Sequence, residues 1–93
     1  MRKSYLFIFN DSVGITEAVK EVIDKMPYVY TWRRDMPNVF YIVSDYSAED
    51  LAEQFEKLNG SKGRFIFMEY TSNSQGRLSE RTWYLLNNKR LRD

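Results

Sequence analysis

An α+β fold is what the sequence predicts, and three observations predict it. Four short runs rich in aromatic and β-branched residues have the length and composition of strands. Two longer stretches repeat their apolar residues at three- and four-residue spacing, the period of an amphipathic helix. Turn residues separate the two kinds of segment, so strands and helices alternate along the chain.

The first strand is "SYLFIF", Ser4 to Phe9, apolar on both faces and stopped by the polar turn "NDSVG" ending at Gly14. Ile15, Ala18, Val19, Val22, Ile23 and Met26 then form one helical stripe, with Glu21 and Lys25 a favourable i,i+4 pair opposite it. Pro27 ends that helix. "YVYTWRR" and "VFYIVS" read as the arms of an antiparallel hairpin whose turn is "DMPN", because Pro37 presets its own φ and Asn38 is a common turn residue.

Ser47 and Asp50 resemble a capping box, and Ala48, Leu51, Ala52, Phe55 and Leu58 make the stripe of the second helix, with Gly60 suited to its C′ position. "RFIFMEYT", Arg64 to Thr71, is the fourth strand. Over residues 79–88, Leu78, Ser79 and Trp83 fit a hydrophobic staple at the start of a short helix, while "RTWYLL" also fits a fifth strand; the helix is the favoured reading.

The order β-α-β-β-α-β is the ferredoxin-like split βαβ pattern, here with a short C-terminal helix or fifth strand added. It predicts a four-stranded antiparallel sheet with the first and third strands central and two helices on one face, because crossovers are right-handed. Residues 1–88 make one domain, and 89–93 are a basic tail. On the first strand either Tyr5, Phe7 and Phe9 or Leu6 and Ile8 point away from the helices. An open face carrying Tyr5, Phe7, Phe9, Tyr41 and Phe67 is an expected homodimer interface, since a lone chain seldom leaves such rings wet.

Composition excludes several chemistries. With no cysteine and no histidine, disulfides, thiolate metal sites, the usual zinc ligand sets and a histidine general base are all ruled out. Any catalysis falls to carboxylates, hydroxyls, Lys, Arg or Tyr, and any metal is a hard cation such as Mg²⁺ held by oxygen. A formal charge of +1 gives no general attraction for nucleic acid, although a local patch remains open. "YLFIF" behind Arg2 and Lys3 is too short for a signal-peptide core or a membrane span, so a soluble, cytoplasmic protein is expected.

Two resemblances bear on function. "LFIFN" resembles the first signature of RNA-recognition motifs and "KGRFIFMEY" the second, but that second signature belongs on the third strand, and here it follows the second helix. The strand "YLFIFND", the segment "FYIVSDYSAEDL" and the ending "RFIFMEYTSNSQGRLSERTWYLLNNK" together resemble small ferredoxin-like proteins related to CRISPR-associated protein two. That resemblance implies a homodimer and, in several members, Mg²⁺-dependent cleavage or binding of nucleic acid. It implies an Asp from each subunit at the end of the first strand, flanking the twofold axis, where two carboxylates could hold the cation. This chain has Asn10 and then Asp11 there. Asp11 is thus the candidate catalytic and metal-binding residue, with turn chemistry as its plain alternative.

Arg33, Arg34, Lys89 and Arg90 are the candidate phosphate contacts, although strand alternation sends Arg33 and Arg34 to opposite faces. Ser72 to Gly76 form a polar loop with the amide and hydroxyl groups a small-ligand site would use. The function expected from all this is a homodimeric, non-enzymatic binding module, with nucleic acid the favoured ligand. The alternatives are a Mg²⁺-dependent nuclease using Asp11 and a small-molecule or nucleotide-binding regulatory domain.

Overall fold

The computed structural model describes residues 1–92. Its elements are β1 (Lys3–Phe9), α1 (Thr16–Asp24), β2 (Val29–Arg34), β3 (Val39–Ser44), α2 (Ala48–Asn59), β4 (Phe65–Glu69) and α3 (Glu80–Asn88). The strands form one antiparallel sheet in the order β2-β3-β1-β4, so β1 and β3 are central, as their apolar character on both faces requires.

Register fixes which side chains share a face. Phe7 lies opposite Phe40 on one side and Phe67 on the other, while Leu6 lies opposite Tyr41 and Met68. The Phe7 row, with Tyr5, Phe9, Ile42 and Phe67, meets Val19, Ile23 and Met26 beside α1 and Leu51 and Phe55 of α2 in the main core. Five phenylalanine rings lie around Phe7, the nearest being Phe67 at 4.4 Å and Phe55 at 4.8 Å between centroids.

Three stripe positions differ from expectation: Ala18 in the first turn of α1 is exposed, and two others lie at helix ends. Ile15 is the backbone N-cap of α1 and is 74% exposed, and Leu58 at the last turn of α2 is also exposed. Both sit at helix ends, where the chain has left the sheet and there is nothing to pack against. Ser47 does cap α2, accepting from the Asp50 N–H at 3.1 Å.

The largest difference lies on the opposite face of the sheet. The favoured helix of the C-terminal segment is present as Glu80–Asn88, and instead of leaving the second sheet face open this α3 packs across the face that α1 and α2 leave uncovered. Leu85 and Leu86 bury fully against Val39, Tyr41 and Val43, with Leu6, Tyr70, Leu78 and Trp83 around them. Each such leucine contributes on the order of 1.5–3 kcal/mol by leaving water. Ser79 is the N-cap, accepting from Thr82 N–H, as the staple predicts. The Ser4 hydroxyl donates to Leu86 O at 2.8 Å and ties β1 to the end of the helix.

The expected interface residues are therefore interior. Tyr5, Phe7, Phe9 and Phe67 fill the core under α1 and α2, and Tyr41 is closed in by α3 on the other face. None presents its ring to a second copy. What stays exposed on the α3 face is the β1/β4 half, with Ile8, Ile66 and Met68 outside the footprint of the helix.

Candidate functional site

Between α3, the β1/β4 half of the sheet and the segment after β4 lies a recess of about 310 Å³. Leu6, Tyr41 and Met68 belong to its sheet side, Leu78, Trp83 and Leu86 to its helix side, and Ser74 to Arg77 to the loop that borders it. The lining is largely apolar, and most of its polar groups are already engaged or lie at the rim. The Ser74 hydroxyl donates to Thr71 O at 2.8 Å, and the Gln75 amide oxygen accepts from Gly76 N–H at 3.0 Å. Glu69 and Arg77 are exposed at the mouth. The Tyr41 ring adjoins the recess but is wholly buried, and its hydroxyl has no hydrogen-bond partner among the described residues.

Beside Tyr41, a polar network holds the start of α3. Asp35, just past β2, accepts from Ser79 N–H at 2.8 Å, and Arg33 donates through Nε to Thr82 Oγ1 at 3.0 Å. Thr82 is fully buried, so this bond satisfies a group that would otherwise be costly to cover. The Ser79 N–H, then the Thr82 hydroxyl, hold the Asp35 carboxyl below its usual range, with Arg33 adding to the effect. Tyr41 is shifted the other way, first by burial and then by the negative charge of Asp35, so its phenol stays protonated.

This network makes a prediction about acid. A carboxyl whose pKa is lowered on folding stabilises above its unfolded pKa of about 3.9, and that support is lost as pH falls through the lower folded value. Circular-dichroism melts between pH 5 and pH 2 should show wild type losing more melting temperature on acidification than Asp35→Asn. Equal slopes would remove Asp35 from any role in holding α3.

Asn10 and Asp11 are occupied with the turn. The Asn10 carboxamide oxygen accepts from Ser12 N–H at 3.1 Å, and the Asp11 carboxylate accepts from Asn38 Nδ2 at 2.9 Å. The same Asn38 amide donates to Phe9 O, so Asp11 is held beside the β2–β3 turn, away from the N-cap of α1. Among the described residues no three acidic side chains gather as cation ligands.

The four candidate phosphate contacts do not converge. Arg33 is spent on α3, whereas Arg34 lies on the α1 side, 3.9 Å from Glu17. Lys89 is the left-handed C-cap of α3, and Arg90 lies over the Tyr84 ring. Lys89 does have a neighbour the sequence did not suggest: Arg2 donates to Lys89 O at 3.2 Å and stacks on Tyr30 at 3.8 Å. The tail continues past the β2 edge, with Leu91 beside Tyr30 and Thr31, and Arg92 reaches back to Glu80 at 3.7 Å.

Reading the sequence alone missed Asp35 as the anchor of α3 and Tyr41 as a buried hydroxyl. A strand tyrosine gives no sign of its partner until register and the covering helix are known. No family model matches this chain, and no curated protein or solved structure matches it either. No helix among the described residues is long and apolar enough to cross a membrane.

Proposed function

We propose that the protein is a ferredoxin-like, non-enzymatic interaction module that works as a homodimer joined edge to edge along β4. The observation that carries this reading is the contrast between the two sheet edges. The β2 edge is guarded: it has a register irregularity between Val29 and Thr31, two arginines, and the tail residue Leu91 beside it. β4, "FIFME", has no proline, no bulge and one charge, at its end, and it leaves Ile66 and Met68 about half exposed.

Its geometry suits self-pairing. Asn10 N–H donates to Arg64 O and Tyr70 N–H to Ser4 O, so even-numbered residues bond inward to β1. Phe65, Phe67 and Glu69 therefore turn their backbone groups outward. A twofold axis at Phe67 pairs Phe65 with Glu69 of the partner subunit and places Ile66 against Met68 of the partner subunit. In that arrangement the two β1 strands stand three strand spacings apart, roughly 14 Å. The two Asp11 carboxylates lie at opposite ends of the joined sheet, so they cannot share one Mg²⁺, which argues against the nuclease alternative.

Sedimentation equilibrium should find a dimer for wild type and a monomer for Ile66→Lys, with little change in melting temperature because Ile66 is exposed in the single chain. A wild-type chain that stays monomeric at millimolar concentration would sink the reading. Tight oligonucleotide binding that weakens steeply with salt would instead shift it toward nucleic acid at the Arg2, Lys89 and Arg90 corner.

A further inference from the structure

We propose that the open end of the recess beside α3 is a seat for a second copy of this chain: Arg64 of the partner subunit lays its stem beside Met68 and its guanidinium on the Tyr70 ring. The contact rests on the edge-to-edge dimer with its twofold axis at Phe67. That axis makes "RFIFMEY", Arg64 to Tyr70, complementary to itself. Met68 stands against Ile66 of the partner subunit, and two residues further out Tyr70 stands against Arg64 of the partner subunit. The even-numbered side chains share the α3 face, since Met68 lies opposite Leu6, and Leu6 and Tyr70 pack in the same cluster. Phe67 turns its backbone groups outward, so the Arg64–Tyr70 pair falls at a non-hydrogen-bonded position. There the Cα atoms stand about 4.5 Å apart and facing side chains meet.

Both side chains suit this contact. Arg64 is exposed, and its guanidinium makes no ion pair among the described residues. Tyr70 lines the recess and is held from the α3 side. Its ring centroid lies 6.4 Å from that of Trp83, and its hydroxyl donates to Asn87 Oδ1 at 2.8 Å. A guanidinium is planar and weakly hydrated, which suits it to the face of a ring, and its stem covers apolar surface. The chain uses the same pairing twice within itself, Arg2 over Tyr30 at 3.8 Å and Arg90 over Tyr84 at 5.2 Å.

Sedimentation equilibrium of wild type, Arg64→Gln, Tyr70→Leu and the double variant reads the contact. The dimer holds two copies of it, so each single variant should weaken dimerisation about tenfold. The double variant should be no weaker than the weaker of the two single ones, because either change alone already removes the interaction. Arg64 is exposed, and leucine keeps apolar bulk against Trp83, so both variants should stay folded by circular dichroism. The Trp83 indole N–H resonance gives a second readout, since that ring backs Tyr70. It should shift when wild type dimerises and move far less when Arg64→Gln is driven to the dimer at higher concentration.

Losses that add in the double variant, or equal Trp83 shifts in the two dimers, would overturn the contact and leave the β4 dimer standing. A wild-type chain that stays monomeric at millimolar concentration would overturn both.

Discussion

Gly63→Ala is expected to destabilise the protein by about 2–5 kcal/mol, lowering its melting temperature by roughly 10 °C or more. Gly63 has φ +74°, where a side chain costs about 1–2 kcal/mol. An alanine Cβ there would lie 2.4 Å from Val13 N and 2.7 Å from Ser12 C. Those are backbone atoms of the turn that ends β1, and that turn is pinned on both sides. Asn10 N–H bonds to Arg64 O at 3.0 Å, and Asn59 Nδ2 bonds to Val13 O at 3.4 Å. Relief therefore means moving the entry to β4 away from the exit of β1, at about 1–3 kcal/mol beyond the backbone strain. Gly60→Ala separates the two costs: its φ is +82°, but nothing lies within 4 Å of the added carbon. Urea titration gives both values, and a loss under about 1 kcal/mol at Gly63 would show that the turn yields.

Phe7→Ala is expected to cost about 3–5 kcal/mol, a large share of the roughly 5–15 kcal/mol that holds a domain of this kind together. Phe7 is fully buried at the centre of the sheet, stacked on Phe67 and tilted against Phe55. Its neighbours come from β1, β3, β4 and α2, so no single side chain can swing in to refill the space. Phe9→Ala removes the same atoms closer to the end of β1 and should cost less. A loss below about 2 kcal/mol at Phe7, with an unchanged urea slope, would mean that the aromatic cluster collapses around the gap.

What was legible in the sequence is what local chemistry decides. The hairpin turn over Asp35 to Asn38, the Ser47 and Ser79 caps and the two amphipathic helices follow from residues a few positions apart, and the structure shows them. The strand order and central positions of β1 and β3 follow from topology together with the apolar character of those strands. Which face of β1 meets the helices was not legible, because Tyr5, Phe7 and Phe9 alternate with Leu6 and Ile8 and both sets are apolar. The interface expected from the sequence therefore mixed one face, Phe7 and Phe67, with the other, Tyr41. Nor does the "YLL" of α3 announce where it docks. Leu85 and Leu86 are adjacent and leave little periodic stripe, and their receptor surface exists only once β1 and β3 have paired. The role of Asp35 was not legible for a related reason: its partner, Ser79, is 44 positions away.

That last dependence has a consequence for the order in which the chain acquires its structure. Everything α1 and α2 need is present once β4 has joined the sheet. The cover for Val39, Tyr41 and Val43 comes only from residues 79–88, and its anchors, Ser4 and Arg33, lie far earlier in the chain. Such distant contacts are slow to find. Until that helix docks, the Val39, Tyr41 and Val43 side of the sheet has no other cover, and a wet apolar surface lies on the same sheet as the unpaired β4 edge. A growing chain in that interval is the form most exposed to wrong partners, and the docking of a nine-residue helix brings it to a close.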